Sequence, residues 1–297
     1  MTDRREFLKR ASAAALAVLA PPSSLAGQRK LPTRRIPGTD ERLSVVGLGN
    51  SQAFRQGDFE TSGRLLGTFF DHGGAYIDCS GDGAYLVASI TGTLGHSDAA
   101  FLGAYFNGEN SAESEAAAKR LRAIRSGNSL DLMHSYPEDG APNWDVFMGW
   151  KDTGLTRYIG LARHNARYYE SMMKVMQTGT MDFVQVNLSP LETEAEDRIL
   201  PMAMEKGVAV TINRPFLNGR YFSIVKGHPL PAWAVEFDCT SWAQFSIKYI
   251  LSHPAVNCVL TETANPKHLI DNLGGGMGRL PDEKTRIRMR SLVQSFA

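Results

Sequence analysis

The feature that most constrains this chain is a repeated switch between two hydrophobic periods. Short β-branched apolar runs alternate with stretches in which apolar residues recur every three to four positions. The runs at 44–49 ("SVVGLG"), 75–79 ("AYIDC"), 99–106, 129–136 ("SLDLMHSY"), 156–162, 181–189, 207–214 and 256–262 read as strands. Between them, "TSGRLLGTFFDHGG" reads as a helix: Leu65, Leu66, Phe69 and Phe70 share a face, and Gly73 and Gly74 stop it. A weaker segment runs from the second strand through Leu94. Residues 111–127 form a helix with an acidic first turn and a basic last turn, which suits its dipole. Further helices are read at 144–154, 166–177 and 241–254. Another opens at Thr193, with Glu196 as its capping-box partner, and a last one at Asn265-Pro266.

Eight strand–helix units with apolar strands imply parallel strands with helices outside them. The length fits a single-domain (β/α)8 TIM barrel, and "RRIPGTDERL" before the first strand reads as an N-terminal β-hairpin at the barrel floor. A doubly wound open sheet is the other architecture such alternation allows, but no G-x-G-x-x-G follows the first strand.

Residues 1–26 are set apart from residues 27–297, the barrel. Arg4 and Arg5 precede Phe7, Leu8 and Lys9, then a short Ala/Leu-rich run, then "SLA". The apolar run is about half the ~20 residues of a membrane span, so it reads as a twin-arginine signal peptide and predicts a periplasmic protein exported folded. The net charge is +1 and no basic block follows residue 26, so nucleic acid is not an expected partner. Cys79, Cys239 and Cys258 lack metal-ligand spacing and are expected as buried thiols. Met172, Met173 and Met176 sit at helical spacing and read as core.

In such a barrel the chemistry lies at the C-terminal strand ends. Those ends carry Asp78, Tyr105, Tyr136, Arg163, Gln185 with Asn187, Arg214, and Glu262 with Thr263. The ring is polar and aromatic, without the clustered histidines and carboxylates of a metal site. Asp78 has no evident carboxylate partner for glycosidase chemistry. Cys79 should point away from Asp78 across the strand.

"RRIPGTDERLSVVGLG", "FFDHGGAYIDCS", "GLTRYIGLARHNA", "DFVQVNLSPLE", "NRPFLNG" and "NPKHLIDNL" together resemble the aldo-keto reductase family, over nearly all of residues 27–297. The resemblance implies a barrel that binds NADP(H) and reduces aldehydes and ketones with an aspartate, a tyrosine, a lysine and a histidine. Only the aspartate, Asp78, is kept. The tyrosine position falls on Gly83, with Tyr85 close but out of register. The lysine position falls on Tyr105. The histidine position falls on Tyr136 without a gap, or on His134 with a two-residue shift. Of the expected cofactor contacts, Gln185 matches. The preceding Ser-Asn pair reads Ala162-Arg163, the stacking aromatic is Asn213, and Glu262 stands beside the expected phosphates. At the adenine end Thr263, Asn265, Asp271 and Asn272 match, and Arg214 joins the expected cofactor set. Asn265 and Asn272 also suit helix capping and surface polarity.

Two functions follow as expectations. One is a non-catalytic exported barrel, binding a small-molecule ligand or an exported partner protein, with NADP(H) held weakly or not at all. The other is an NAD(P)H-dependent reductase using Tyr85 or His134 as substitute acid. Expected donors to an Asp78 without its lysine are Tyr85, Tyr105 and Ser80. Replacing Arg4 and Arg5 by lysine should trap the precursor in the cytoplasm; unchanged arrival outside the inner membrane, read by fractionation, removes the twin-arginine reading.

Overall fold

A computed structural model describes residues 30–105, 111–125, 129–136 and 143–297; the twin-arginine segment lies outside them. The chain opens with an antiparallel pair, β1 (Thr33–Arg35) and β2 (Arg42–Ser44). Eight parallel strands follow: β3 (Val46–Leu48), β4 (Tyr76–Ser80), β5 (Phe101–Tyr105), β6 (Leu130–Ser135), β7 (Thr156–Ala162), β8 (Phe183–Asn187), β9 (Ala209–Asn213) and β10 (Val256–Thr261). They pair in chain order, and β10 closes the barrel on β3. The (β/α)8 expectation therefore holds, and the open-sheet alternative is excluded by that last pairing.

The helices lie outside. They are α1 (Gln52–Arg55), α2 (Phe59–Asp71), α3 (Asp82–Thr93), α4 (Ser111–Ile124), α5 (Trp144–Asp152) and α6 (Tyr169–Gln177). After β8 come α7 (Glu194–Asp197), α8 (Ile199–Lys206), α9 (Arg220–Val225), α10 (Trp242–Leu251), α11 (Pro266–Gly275) and α12 (Glu283–Gln294). No helix among the described residues is long and apolar enough to cross a membrane. The segment after β4 is a full helix. Gly81, at φ 54°, turns the chain out of the strand, and the glycines within α3 hide its periodicity.

The expected capping box at Thr193 does not form, because the Thr193 side chain makes no cap bond. Glu196 instead accepts from the Tyr249 hydroxyl at 2.6 Å and from buried Arg286, pinning α7 to α10 and α12. A charge-assisted bond to a buried guanidinium outcompetes an exposed cap. Asn265 caps α11 as expected, accepting from the Lys267 amide at 2.9 Å.

Strand alternation sorts residues into two cores. Leu65, Leu66, Met172, Met176 and Cys79 pack in the outer core between sheet and helices. Tyr76, Phe101, Leu132, Tyr158 and Phe183 fill the barrel's lower interior, and Ile36 and Leu43 of the hairpin close its floor. Glu41 fixes the hairpin there, accepting from Arg157 at 2.6 Å and from the Tyr158 hydroxyl at 2.7 Å. All three cysteines are buried free thiols.

Above the aromatic floor the interior turns polar, and two glycines make room for it. A Cβ on Gly103 would lie 2.4 Å from Asp78 Oδ1 and 2.9 Å from the Tyr76 ring. One on Gly160 would lie 3.0 Å from His134 Nδ1 and 2.6 Å from the Phe183 carbonyl. Gly103→Ala should therefore destabilise the barrel by about 1–3 kcal/mol, the range of core overpacking. Urea unfolding checks it; an unchanged midpoint means the interior yields more readily than these contacts allow.

Candidate functional site

The C-terminal strand ends and the loops after them enclose a cleft of about 640 Å³. Tyr105, Tyr136, Gln185, Asn213, Arg214, Glu262 and Thr263 line it, with Arg55, His164, Phe216 and Phe222. Of the residues expected from sequence, Tyr105, Tyr136, Gln185, Arg214 and Thr263 thus face one space. Asp78 and His134 come together one layer below, 2% and 1% exposed.

At the centre, Gln185 Nε2 donates to Asp78 Oδ2 at 2.7 Å, and Gln185 Oε1 accepts from Asn213 Nδ2 at 3.2 Å. The carboxylate is thus answered by a neutral amide, not by the expected Tyr85, Tyr105 or Ser80. Its other oxygen has no hydrogen-bond partner and lies 3.6 Å from His134 Nε2. His134 Nε2 is itself 3.3 Å from the Tyr76 hydroxyl, while its Nδ1 is unpartnered. Burial raises the Asp78 carboxyl to about 7, opposed by the bond from Gln185 and by the nearby Tyr76 hydroxyl. Burial also lowers His134 to about 3, so its imidazole is neutral at physiological pH. A carboxylate in apolar surroundings binds its proton tightly, and a histidine there sheds its own.

Tyr85 does not join this group. Its hydroxyl donates to the Ala117 carbonyl of α4 at 3.2 Å, and Arg120 lies over its ring. One helical turn past Gly81, the residue at 85 points at the neighbouring helix, whereas Gly83 is the buried position beside Asn50 and Phe54. Tyr105 stacks on Tyr136 with centroids 5.7 Å apart, and Asn50 Nδ2 donates to Ser80 Oγ at 2.7 Å. Burial holds the Tyr105 phenol well above its ordinary range, the opposite of an activated proton donor.

At the rim, Tyr136 takes the strand-end place and His134 the deeper one. The Tyr136 hydroxyl is 2.5 Å from His164 Nδ1, a pair that sequence reading missed although His164 directly follows Arg163. Glu262 lies 3.6 Å from Arg55. Arg214 sits at φ 50°, with Leu217 and Asn218 also left-handed, so the loop after β9 is locally strained. The adenine-end residues divide. Thr263 Oγ1 accepts from the Asn265 amide at 3.0 Å. Asp271 accepts from Gln244 at 2.8 Å beside a separate groove with His72 and Lys267. Asn272 is buried, not surface. No group of three or more His, Cys, Asp and Glu able to hold a metal occurs among the described residues.

The Asp78–His134 pair has opposed pH linkages. With its folded pKa raised, Asp78 stabilises the fold fully below its unfolded pKa and loses that contribution as pH rises towards 7. With its folded pKa lowered, His134 loses stability as pH falls from 6.5 towards 3. Between about pH 4 and 6.5 the two slopes offset each other. Asp78→Asn should leave the His134 slope alone, so that stability rises more steeply with pH than in the unmodified protein. Denaturant midpoints across that range check it; parallel profiles would mean that Asp78 does not titrate there.

No curated protein matches the chain by sequence. Among solved structures, the aldo-keto reductase AKR11C1 from Bacillus halodurans, holo form, superposes with a TM-score of 0.70 at 17% identity, covering 90% of this chain and 96% of that one. An aldo-keto reductase from Klebsiella pneumoniae in complex with NADPH gives 0.69 at 14% identity, covering 90% and 95%. These show the fold. The family model named Aldo/keto reductase family matches residues 132–287, more than half of the chain, and so the chain belongs to the aldo/keto reductase family.

Proposed function

We propose that this member of an oxidoreductase family is an exported barrel that binds a small ligand in the strand-end cleft and no longer performs ordinary carbonyl reduction. The observation that carries the reading is the 2.7 Å bond from Gln185 to Asp78. In the family an aspartate, a lysine and a tyrosine act as a unit, the lysine's charge making the tyrosine a better acid. Here the aspartate is raised to about 7 and bound by an amide, Tyr105 stands at the lysine position, and Gly83 at the tyrosine position. General acid catalysis typically contributes ~10²–10⁴-fold and requires a donor within reach of the substrate. Export to the periplasm rests on Arg4-Arg5 and the short apolar run.

NADP(H), which the family and the Klebsiella complex suggest, does not fit the nicotinamide end of this cleft. The Gln185 amide is engaged at both atoms, by Asp78 and by Asn213. Asn213 offers no ring to stack on nicotinamide, and Glu262 places a half-exposed carboxylate near the expected phosphates. Asn265 and Asp271 already serve capping and helix–helix bonding.

The reductase alternative has one observation in its favour, the Tyr136–His164 hydrogen bond inside the cleft. Tyr85 and His134 do not support it, since one bonds to α4 and the other is sealed beneath the cleft. NADPH should bind weakly at ordinary salt, Glu262→Lys should tighten it, and turnover of reactive aldehydes should stay at background. Brisk turnover that Tyr136→Phe abolishes would replace the binding-barrel reading with a reductase that uses Tyr136.

A further inference from the structure

Arg163 follows the last residue of β7 and is only 4% exposed. Its guanidinium lies between the Tyr136 and Tyr168 rings, 4.1 Å from each centroid. Nε and Nη2 are buried without a hydrogen-bond partner. Other deeply buried arginines of this protein are answered by carboxylates: Arg125 by Asp131, and Arg286 by Glu196. Arg163 and Arg167 make no ion pair among the described residues, whereas Arg214 lies near enough to Glu262 for its charge to act on that carboxyl. Aromatic faces relieve part of the cost of burying such a charge, but a desolvated, unpaired guanidinium remains strongly unfavourable.

The same wall carries a further cation, Arg214, and a neutral donor, His164. His164 is held below its ordinary range by burial and by the nearby Arg214, Arg163 and Arg167. In the tautomer in which Nδ1 accepts from the Tyr136 phenol, the neutral imidazole carries its proton on Nε2 and can donate it. His164 and Arg214 line the cleft, together with Phe216 and Phe222, the latter 42% exposed. The facing carboxylate, Glu262, is set against Arg55 and also feels Arg214, which leaves Arg163 as the cation without a carboxylate. The wall formed by Arg163, His164 and Arg214 therefore has an excess of cationic and donor groups over an apolar rim.

We infer that the cleft takes a small organic oxyanion, a carboxylate or phosphate ester on a flat apolar body, contacted by His164 and Arg214 and attracted by the unpaired charge of Arg163 behind Tyr136. The apolar body packs against Phe216 and Phe222. Protein surrounding the site keeps the effective dielectric low, so a buried cation that does not touch the ligand still favours an anion in the adjoining space. The inference deepens the reading of the cleft as a ligand site by naming the ligand's chemistry.

Isothermal titration of the purified protein with benzoate, phenyl phosphate and neutral benzamide tests it. At least one anion should bind about tenfold or more tighter than benzamide, and the preference should weaken with salt. Benzoate ahead of phenyl phosphate assigns a carboxylate ligand, and the reverse order a phosphate. Arg163→Gln, with folding checked by circular dichroism, should bring anion and amide to within about twofold. Arg214→Gln carries the same test if Arg163→Gln does not fold. No anion preference in the unmodified protein, or a preference that survives both substitutions, overturns the inference. The two readings fail separately: aldehyde turnover would overturn the non-catalytic reading and leave an anion preference standing, and a missing preference would leave turnover untouched.

Discussion

A closed eight-stranded barrel must fill its own interior, and in this protein the filling changes character halfway up. Below, Tyr76, Phe101, Tyr158 and Phe183 pack on the hairpin's Ile36 and Leu43. Above them sit a carboxyl and an imidazole at 2% and 1% exposure. Neither has a counter-ion, so burial drives both towards their neutral forms. The rest of the central layer follows from that. Gly103 and Gly160 leave space for the two side chains, the Tyr76 hydroxyl reaches His134, and Gln185 turns its amide to Asp78. Once Gln185 is turned that way, its carbonyl accepts from Asn213, and the floor of the cleft is fixed.

The barrel was legible because its strands are short, mostly apolar runs in which the polar residues stand out. Each is buried on both faces for most of its length, and β7 was bounded to the residue, at 156–162, from its sequence run. Reading failed where local and tertiary preferences compete. Glu196 satisfies a capping box on paper, but Arg286 and Tyr249 arrive from elements far along the chain. The helix after β4 was hidden by Gly83 and Gly92, poor helix formers, of which Gly83 is buried against Asn50 and Phe54.

The candidate site divides the same way. Asp78, Tyr105, Tyr136, Gln185 and Arg214 could be placed because period-two alternation decides which strand residues look inward. Choosing between His134 and Tyr136 was a question of depth along one strand face, which needs the neighbouring strands' register. Tyr85 was misread because it lies on a helix, where one position rotates a side chain by about 100°. That rotation aims its hydroxyl at α4. The pairing of His164 with Tyr136 and the bracket of Tyr136 and Tyr168 around Arg163 join different strands and loops, so no sequence spacing announces them.

The change at residue 163 bears most directly on what the cleft can hold. The family resemblance expects an asparagine there, a residue that offers one donor face and one acceptor face and therefore suits an amide such as a carboxamide. Arginine offers donors only and carries a permanent charge. With Arg163 stacked between rings and Gln185 engaged by Asp78 and Asn213, two of the groups expected to hold a neutral carboxamide are altered or occupied. Glu262 sets a carboxylate, matched to Arg55, on the side where phosphates would be expected. The charge pattern therefore departs from that expectation: a cation stands where a neutral amide is expected, and a carboxylate paired with Arg55 stands near the expected phosphates. On the reading proposed above, a dinucleotide with its phosphates on the Glu262 side meets a carboxylate there, whereas a small oxyanion on the His164–Arg214 side meets a donor and a cation.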